Sequence, residues 1–396
     1  MSAWPAYLRD PYMTHMETQV VAAGQDSRGF WVELEDTLFF PEGGGQPADR
    51  GTVEGIPVVD VQKAGSAIRH WLAAAPPQGH VRLQLDWQRR YDHMQQHTAQ
   101  HLLSAVAEDR FGWRTTAFHL GVELCDVELD VPSLTPSQVA VLEEAAMAEV
   151  HQAHPIRVHW VGLEELARYP KVRSRGLPEG HEGSIRLVEI VGVDVATCGG
   201  THLRSTAEVE ALALLHTEPM RGGTRLYFVA GARLRQRLHR HEERNAALRR
   251  LFGASDGELV TVAETKVGQL EQLRRELRHT QEELAQLLGA KLAADQNALV
   301  SWHGTRADLA FLQTTARAFL HARPAGTLLL TAGEGAAGVF LLATHRADLT
   351  LLGEGVAKIL AGRGGGKPPF FQGRAAALNR REVAQNWLAE QLQRPG

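Results

Sequence analysis

The sequence predicts an α+β protein built from several domains, and three observations carry that prediction. Up to about Asp86, apolar residues alternate with polar ones in short runs broken by glycine, proline and aspartate, the period-two pattern of antiparallel strands. From Arg89 the apolar spacing changes to three and four residues, and helical and strand-like runs then mix as far as about Gly231. A long helical segment follows, and a second mixture of strands and helices begins near Ala298. A length of 396 residues accommodates this division. The expected units are a small β-barrel over residues 1–88, an α+β domain over 89–232, a helical, coiled-coil-like linker over 233–297 and an α/β domain over 298–396.

In the first unit the runs TQVVAAGQDSRGFWVELEDTLFF, GTVEGIPVVDVQKAG, AIRHWLAA and HVRLQLDW read as barrel or sandwich strands. Between two of them lies Phe40-Pro-Glu-Gly-Gly-Gly-Gln-Pro-Ala-Asp-Arg-Gly51. Three adjacent glycines lose much chain entropy on folding, so they suit either a flexible hairpin loop or a backbone that approaches a ligand closely. In RRYDHMQQHTAQHLLSAVAEDRFG, residues Met94, His97, His101, Leu102, Ala105 and Val106 share one helical face. The strand AFHLGVELCDVELD comes next, then a helix started by Thr135-Pro136, then three further strand-like runs. Beyond Asp256, Leu270, Leu277 and Leu284 recur every seven residues, with Leu273, Thr280 and Leu287 between them. That recurrence fits an antiparallel helical hairpin, a dimeric coiled coil or amphipathic helices packed on their own domain. Near the C-terminus, Gly362-Arg-Gly-Gly-Gly-Lys-Pro-Pro-Phe-Phe-Gln-Gly373 reads as a glycine-rich loop. Its neighbours Arg363, Lys367 and Arg374 could meet phosphate while a phenylalanine stacks on a base.

The chemistry concentrates in two short clusters, His97-Thr-Ala-Gln-His101 and Cys198-Gly-Gly-Thr-His202. An HxxxH step on a helix stacks two imidazoles on one face, and thiolate and imidazole are the usual zinc ligands. Together the pairs could close a tetrahedral Zn²⁺ site, one per chain. With only two cysteines in the chain, one of them four residues before a histidine points to a metal or to catalysis and away from a disulfide. Asp194 and His93 are candidates to support the ligands, or are simply structural. The formal net charge of −4 offers no global basic footprint, so a polyanion would have to meet a local patch. No apolar stretch follows a basic start, and the longest apolar run is broken by glycines and Glu334. A cytoplasmic protein without a membrane partner is expected.

The motifs FFPEGGGQPADRG, HMQQHTAQHLLSA, RTTAFHLG, GVDVATCGGTHL and RGGTRLYFVAG, in this order, resemble the alanyl-tRNA editing family AlaX. Its members are free-standing relatives of the editing region of alanyl-tRNA synthetase. GRGGGKPPFFQG resembles the glycine motif of the DHH-associated domain that closes those synthetases, which marks the long form of the family, although its Pro-Phe-Phe-Gln ending departs from the synthetase pattern. The resemblance implies hydrolysis of Ser-tRNA and/or Gly-tRNA formed on alanine tRNA, sparing Ala-tRNA, with aminoacylated alanine tRNA as partner. It also implies that Thr115 or Thr116 reads the serine hydroxyl, that Gly43, Gly44, Gly45 and Gln46 line the pocket, and that the C-terminal cations contact tRNA. Zinc would either activate water or position the substrate. Two other functions stay open: an RNA-binding protein with a purely structural zinc, and a metal-dependent hydrolase of small acyl esters. The helical or C-terminal region could also join two copies of the chain.

Overall fold

The computed structural model describes residues 4–166, 168–169, 172–173 and 183–393, in two compact units that meet in sequence between Ala247 and Leu248. The first unit begins with a short helix α1 (Ala6–Arg9) and six strands: β1 (His15–Asp26), β2 (Gly29–Leu34), β3 (Gly51–Val53), β4 (Ile56–Ala64), β5 (Ala67–Leu72) and β6 (His80–Leu85). They close a barrel in the order β1-β2-β5-β4-β3-β6, with every pairing antiparallel. Alternation decides its inside: β6 runs exposed-buried along its length, and Val32, Val53, Val61, Val81 and Leu83 fill the interior. Closure removes the free edges that an open sheet of these strands would present.

Helix α2 (Trp87–Phe111) follows directly, capped by Asp86 at its start and by the left-handed Gly112 at its end. It is a polar helix in a buried place, with Gln95, Gln96, His97, Thr98, Gln100, His101 and Ser104 all sequestered. Buried polar groups need partners. Gln96 meets this need by pairing both amide atoms with Ala230 backbone, at 2.9 Å each. Around α2 stand β7 (Thr115–Leu120), β8 (Cys125–Leu129), α3 (Pro136–His151), β9 (Ile156–Val161), α4 (Leu163–Leu166), β10 (Ile185–Ile190), β11 (Asp194–Thr197), β12 (Leu212–Met220) and β13 (Gly223–Ala230). These strands form a four-stranded sheet β12-β13-β8-β7 and a three-stranded sheet β11-β10-β9. Thr135 starts α3 through a reciprocal capping box with Gln138.

The barrel and α2 are joined by a buried ion pair. The Arg90 guanidinium and the Asp49 carboxylate are both inaccessible to solvent, with Nε 3.0 Å from Oδ2, and Arg90 also donates to the carbonyls of Pro11 and Leu38. Asp49 in turn accepts from the Phe40 amide at 2.6 Å, so both ends of the glycine-rich segment are tied to the helix that carries the first histidine pair.

From Gly231 the chain is helical, as α5 (Gly231–Phe252) and α6 (Leu259–Ala293). The second unit then holds β14 (Leu299–Gly304), α7 (Leu309–Ala322), β15 (Thr327–Ala332), β16 (Gly338–Ala343), α8 (Leu349–Ile359), β17 (Arg363–Lys367), β18 (Phe370–Ala375) and α9 (Arg381–Gln393). Its five-stranded sheet runs β14-β15-β16-β18-β17, with only β14 and β15 parallel. The small residues Ala285 and Gly289 let α6 approach α7 closely, whereas Leu270, Leu273, Leu277, Leu284 and Leu287 are exposed. The heptad leucines therefore do not pack on their own domain.

Two expectations need correction. The segment 362–373 is not a loop but an edge hairpin, β17 paired with β18 with Arg363 opposite Arg374, and Phe371 lies in the core, so its ring is not free to stack on a base. Helix α8 forms although Gly353 and Gly355 weaken helix propensity. Their place is explained by close approach: a Cβ at Gly353 would lie 2.1 Å from the Phe371 ring, and one at Gly355 2.0 Å from Trp387.

Candidate metal centre

His97 and His101 leave α2 one turn apart on the face that meets Cys198 and His202, which follow β11. One ligand atom from each of the four lies within 4.8 Å of all the others. Cys198 Sγ is 3.5 Å from His97 Nε2 and 3.3 Å from His202 Nε2. Nitrogen and sulfur bonded to one tetrahedral zinc at roughly 2.05 and 2.3 Å stand about 3.5 Å apart, so the donors already have the spacing that the ion requires. Gly200 makes this approach sterically feasible, since a Cβ there would stand 2.3 Å from the His97 ring.

Each imidazole is oriented from behind through Nδ1, which leaves Nε2 facing the centre. His97 Nδ1 meets Gln46 Oε1 at 2.9 Å, His101 Nδ1 meets Asp194 Oδ2 at 3.3 Å and His202 Nδ1 meets Thr98 Oγ1 at 3.3 Å. These contacts fix ring orientation, the usual duty of groups that surround a metal's ligands. Gln46 is itself locked, accepting from the Thr201 amide at 3.1 Å and donating to Thr201 Oγ1 at 2.9 Å. Arg173 holds Asp194 through Nε at 2.7 Å and spreads its other nitrogens to Glu108 and Asp109. Arg186 donates to the carbonyls of Cys198 and Gly200 at 2.7 and 2.9 Å, fixing the cysteine loop.

The electrostatics favour ligand forms. Burial would raise the Cys198 thiol, but His97, His202 and His101 hold it well below its ordinary value. Burial, and then the charge of neighbouring imidazoles, keeps His202 well below the usual histidine range, and burial also lowers His97. His101 differs: burial opposes its charge, yet the hydrogen bond to Asp194 and the nearby thiolate raise it to about 9. A metal must displace that proton to bind.

A cleft of about 1630 Å³ opens beside the centre, lined by His97, Gln100, His101 and Ser104 along α2. Gly43, Gly44, Thr115, Thr116 and Asp194 line it too, whereas Gly45 and Gln46 do not: Gly45 is exposed and Gln46 is buried against His97. Thr115 Oγ1 donates to Ser104 Oγ at 2.7 Å, which also accepts from Gln100 Nε2 at 2.8 Å. Gln100 Oε1 is buried without a hydrogen-bond partner among the described residues. The Thr116 hydroxyl is engaged differently, donating to Glu128 O of the adjacent strand at 3.2 Å. Arg363, Lys367 and Arg374 belong to the second unit and are exposed on its hairpin. His93 is buried and makes no hydrogen bond to the four donors among the described residues. Gln100, Ser104, Arg173 and Arg186 were not expected from the sequence, although the steps from His97 to Gln100 and Ser104 are those of one helical face.

Comparison with known proteins places the chain among named relatives. The chain is 35% identical over 400 residues to the alanyl-tRNA editing protein Aarsd1 of Rattus norvegicus, covering 96% of each. The chain belongs to the alanyl-tRNA editing protein family. The Danio rerio Aarsd1 is 33% identical over 399 residues, again with 96% of each covered. The alanyl-tRNA editing protein AlaX-L of Pyrococcus horikoshii is 28% identical over 302 residues, 68% of this chain and 70% of that one. Residues 185–251 match the threonyl and alanyl tRNA synthetase second additional domain, a span that includes Cys198, His202 and most of α5. Among the described residues no helix is long and apolar enough to cross a membrane.

Proposed function

We propose that the protein is a trans-editing aminoacyl-tRNA deacylase that hydrolyses Ser-tRNA, Gly-tRNA or both on alanine tRNA and leaves Ala-tRNA intact. The observation that carries this reading is the cleft itself, whose lining includes three of the four His/Cys donors, His97, His101 and Cys198, together with the polar side chains of Gln100, Ser104 and Thr115. His97, His101, Cys198 and His202 would hold zinc, which when bound would supply Lewis acidity there.

The chain's own residues account for recognition. Gln46, Asp194 and Thr98 hold the imidazoles in place, so the cleft wall is set before substrate arrives. Gln100, Ser104 and Thr115 offer donors and acceptors that a misplaced serine hydroxyl can join. Alanine, like glycine, has no hydroxyl and would leave that array incomplete, which costs about 1–3 kcal/mol, so the array is a lever for serine. A synthetase pocket for alanine lacks this lever, because one methyl or one added hydroxyl discriminates weakly in an apolar site. Arg363, Lys367 and Arg374, three cations without an ion-pair partner among the described residues, suit phosphate contact in the second unit. The exposed α6 leucines suit pairing of two copies of the chain, which light scattering would report as a doubled mass lost on Leu277→Glu.

The four protein ligands favour one rival, an RNA-binding protein whose zinc is structural. The deciding experiment measures amino-acid release from Ser-, Gly- and Ala-tRNA made on alanine tRNA, with wild type and Cys198→Ala. Release of serine or glycine that Cys198→Ala abolishes is the expected result. Release of none of the three by wild type would end the editing reading and leave the rival.

A further inference from the structure

Helix α5 carries a strongly basic surface that the cleft does not use. Between Gly231 and Ala247 it carries Arg233, Arg235, Arg237, Arg240 and Arg244 against Glu242 and Glu243. Helix α6 provides the contrast, because its Lys266, Arg274, Arg275, Arg278 and Lys291 are matched by Glu264, Glu271, Glu276, Glu282 and Glu283. The arginines of α5 divide by partner. Arg233 is bound by Asp92, with Nε 2.8 Å from Oδ1 and Nη2 2.7 Å from Oδ2, and Arg235 pairs with Glu210. Arg237, Arg240 and Arg244 have no ion pair among the described residues. Steps of three and four residues put these three on one face, over about 10 Å of helix.

That face borders a concavity of about 250 Å³ shared with Arg233, His241, Val229 and a single acid, Glu123. Burial first, and then Arg244, Arg237 and Arg240, hold His241 below its ordinary pKa, as expected where cations crowd without counter-charge. Such crowding is unfavourable until an anion joins it. The helix is also anchored to the metal-bearing helix: Ala232 N donates to Gln95 Oε1 at 3.1 Å, Gln95 Nε2 donates to Glu208 O at 2.9 Å, and Arg233 grips Asp92, all within five residues of His97. A phosphate chain seated on α5 would thus be held in register with α2.

We infer that Arg237, Arg240 and Arg244 form a binding surface for the phosphate backbone of the tRNA, located on the editing unit and separate from the C-terminal hairpin. This rests on the editing reading for the identity of the polyanion; the charge pattern alone calls for a row of phosphates. Arginine suits the task because its planar fork meets two phosphate oxygens at once.

The test uses the full chain and uncharged alanine tRNA followed by fluorescence anisotropy across a salt series, so that it does not depend on hydrolysis. Replacing all three arginines by alanine should raise Kd at least about tenfold and reduce the slope of log Kd against log salt by about two to three, near 0.7–0.9 per lost phosphate contact. The triple lysine variant should recover most of the slope. Arg274→Ala/Arg275→Ala/Arg278→Ala on α6 removes the same formal charge and should change little. Unchanged Kd and slope in the α5 alanine variant would overturn the inference, and so would an equal loss in the α6 variant. Loss of binding to phosphatidylserine vesicles with tRNA binding intact would also overturn it, by assigning the surface to lipid. If tRNA binding falls as expected while wild type releases no amino acid, the surface stands and the editing reading falls.

Discussion

Two clusters among the described residues of the first unit bring histidine and acidic or thiol donors within 4.8 Å of one another, yet they differ in what surrounds the donors. His97, His101 and His202 are buried and Cys198 partly so, each ring is steered from behind by Gln46, Asp194 or Thr98, and among the described residues no arginine or lysine hydrogen-bonds to the Cys198 sulfur. His119, Asp126 and Glu128 sit on the outer sheet, where Arg225 donates to Glu128 at 2.5 Å and stands 3.6 Å from Asp126. Arginine already supplies the positive charge a metal would bring. Donor proximity alone therefore does not mark a metal site; orientation of the rings from behind and the absence of a competing arginine favour the first cluster.

The largest expected effect follows from taking a donor out of the first cluster. Cys198→Ala should lower zinc content from one per chain towards zero and weaken metal binding by more than the roughly 10–100-fold that an orienting partner costs. Elemental analysis of purified protein reads this directly. Full zinc content in Cys198→Ala would mean that the cysteine is not a ligand. Asp194→Asn comes next. It keeps the shape but loses the charge that both His101 and Arg173 use, so competition with a chelator should report affinity about 10–100-fold weaker. Affinity equal to wild type would reduce Asp194 to a partner of Arg173.

The threonines repeat the contrast on a smaller scale. Both line the cleft, but Thr115 is joined to Ser104 and Gln100, whereas Thr116 spends its hydroxyl on Glu128 O. Thr115→Val should lower Ser-tRNA deacylation relative to Gly-tRNA by about 5–150-fold, the equivalent of 1–3 kcal/mol. Thr116→Val should leave the ratio nearly unchanged. Equal effects of the two variants would show that the array does not read the hydroxyl.

What could be read from the sequence was whatever is local along the chain. The HxxxH and CxxxH steps are four residues long, and the barrel strands announce themselves by alternation and glycine turns, so the donors and the barrel were visible before any coordinates. The parts that make the centre work are long-range. Gln46 reaches His97 across 51 positions, Asp194 reaches His101 across 93, and the Arg90–Asp49 pair spans 41. Gln46 and Asp194 drew attention through neighbouring motifs, and the Arg90–Asp49 pair drew none, because an arginine on an amphipathic helix reads as a solvated charge. Glycine also concealed structure: in β17 it reads as loop where the chain pairs in a sheet.

The smallest effect tests the other side of the comparison. His119 is largely exposed, its Nδ1 2.9 Å from Asp126 Oδ2, and Arg225 compensates both acids. His119→Ala removes one contact to an already paired carboxylate, so stability should move by no more than about 0.5 kcal/mol, as for ordinary surface substitutions. Zinc content should stay at one per chain. Loss of a second zinc from His119→Ala would show that Arg225 does not exclude a metal, and the distinction between the clusters would collapse. Arg225→Gln sharpens the same point. With its counter-charge gone, the outer cluster should gain some weak affinity for added zinc, yet it should release that ion to a mild chelator long before the inner centre does. Among the described residues none outside the cluster orients His119 as Gln46, Asp194 and Thr98 orient the inner rings, so removing the competing cation restores charge to the outer cluster without restoring geometry.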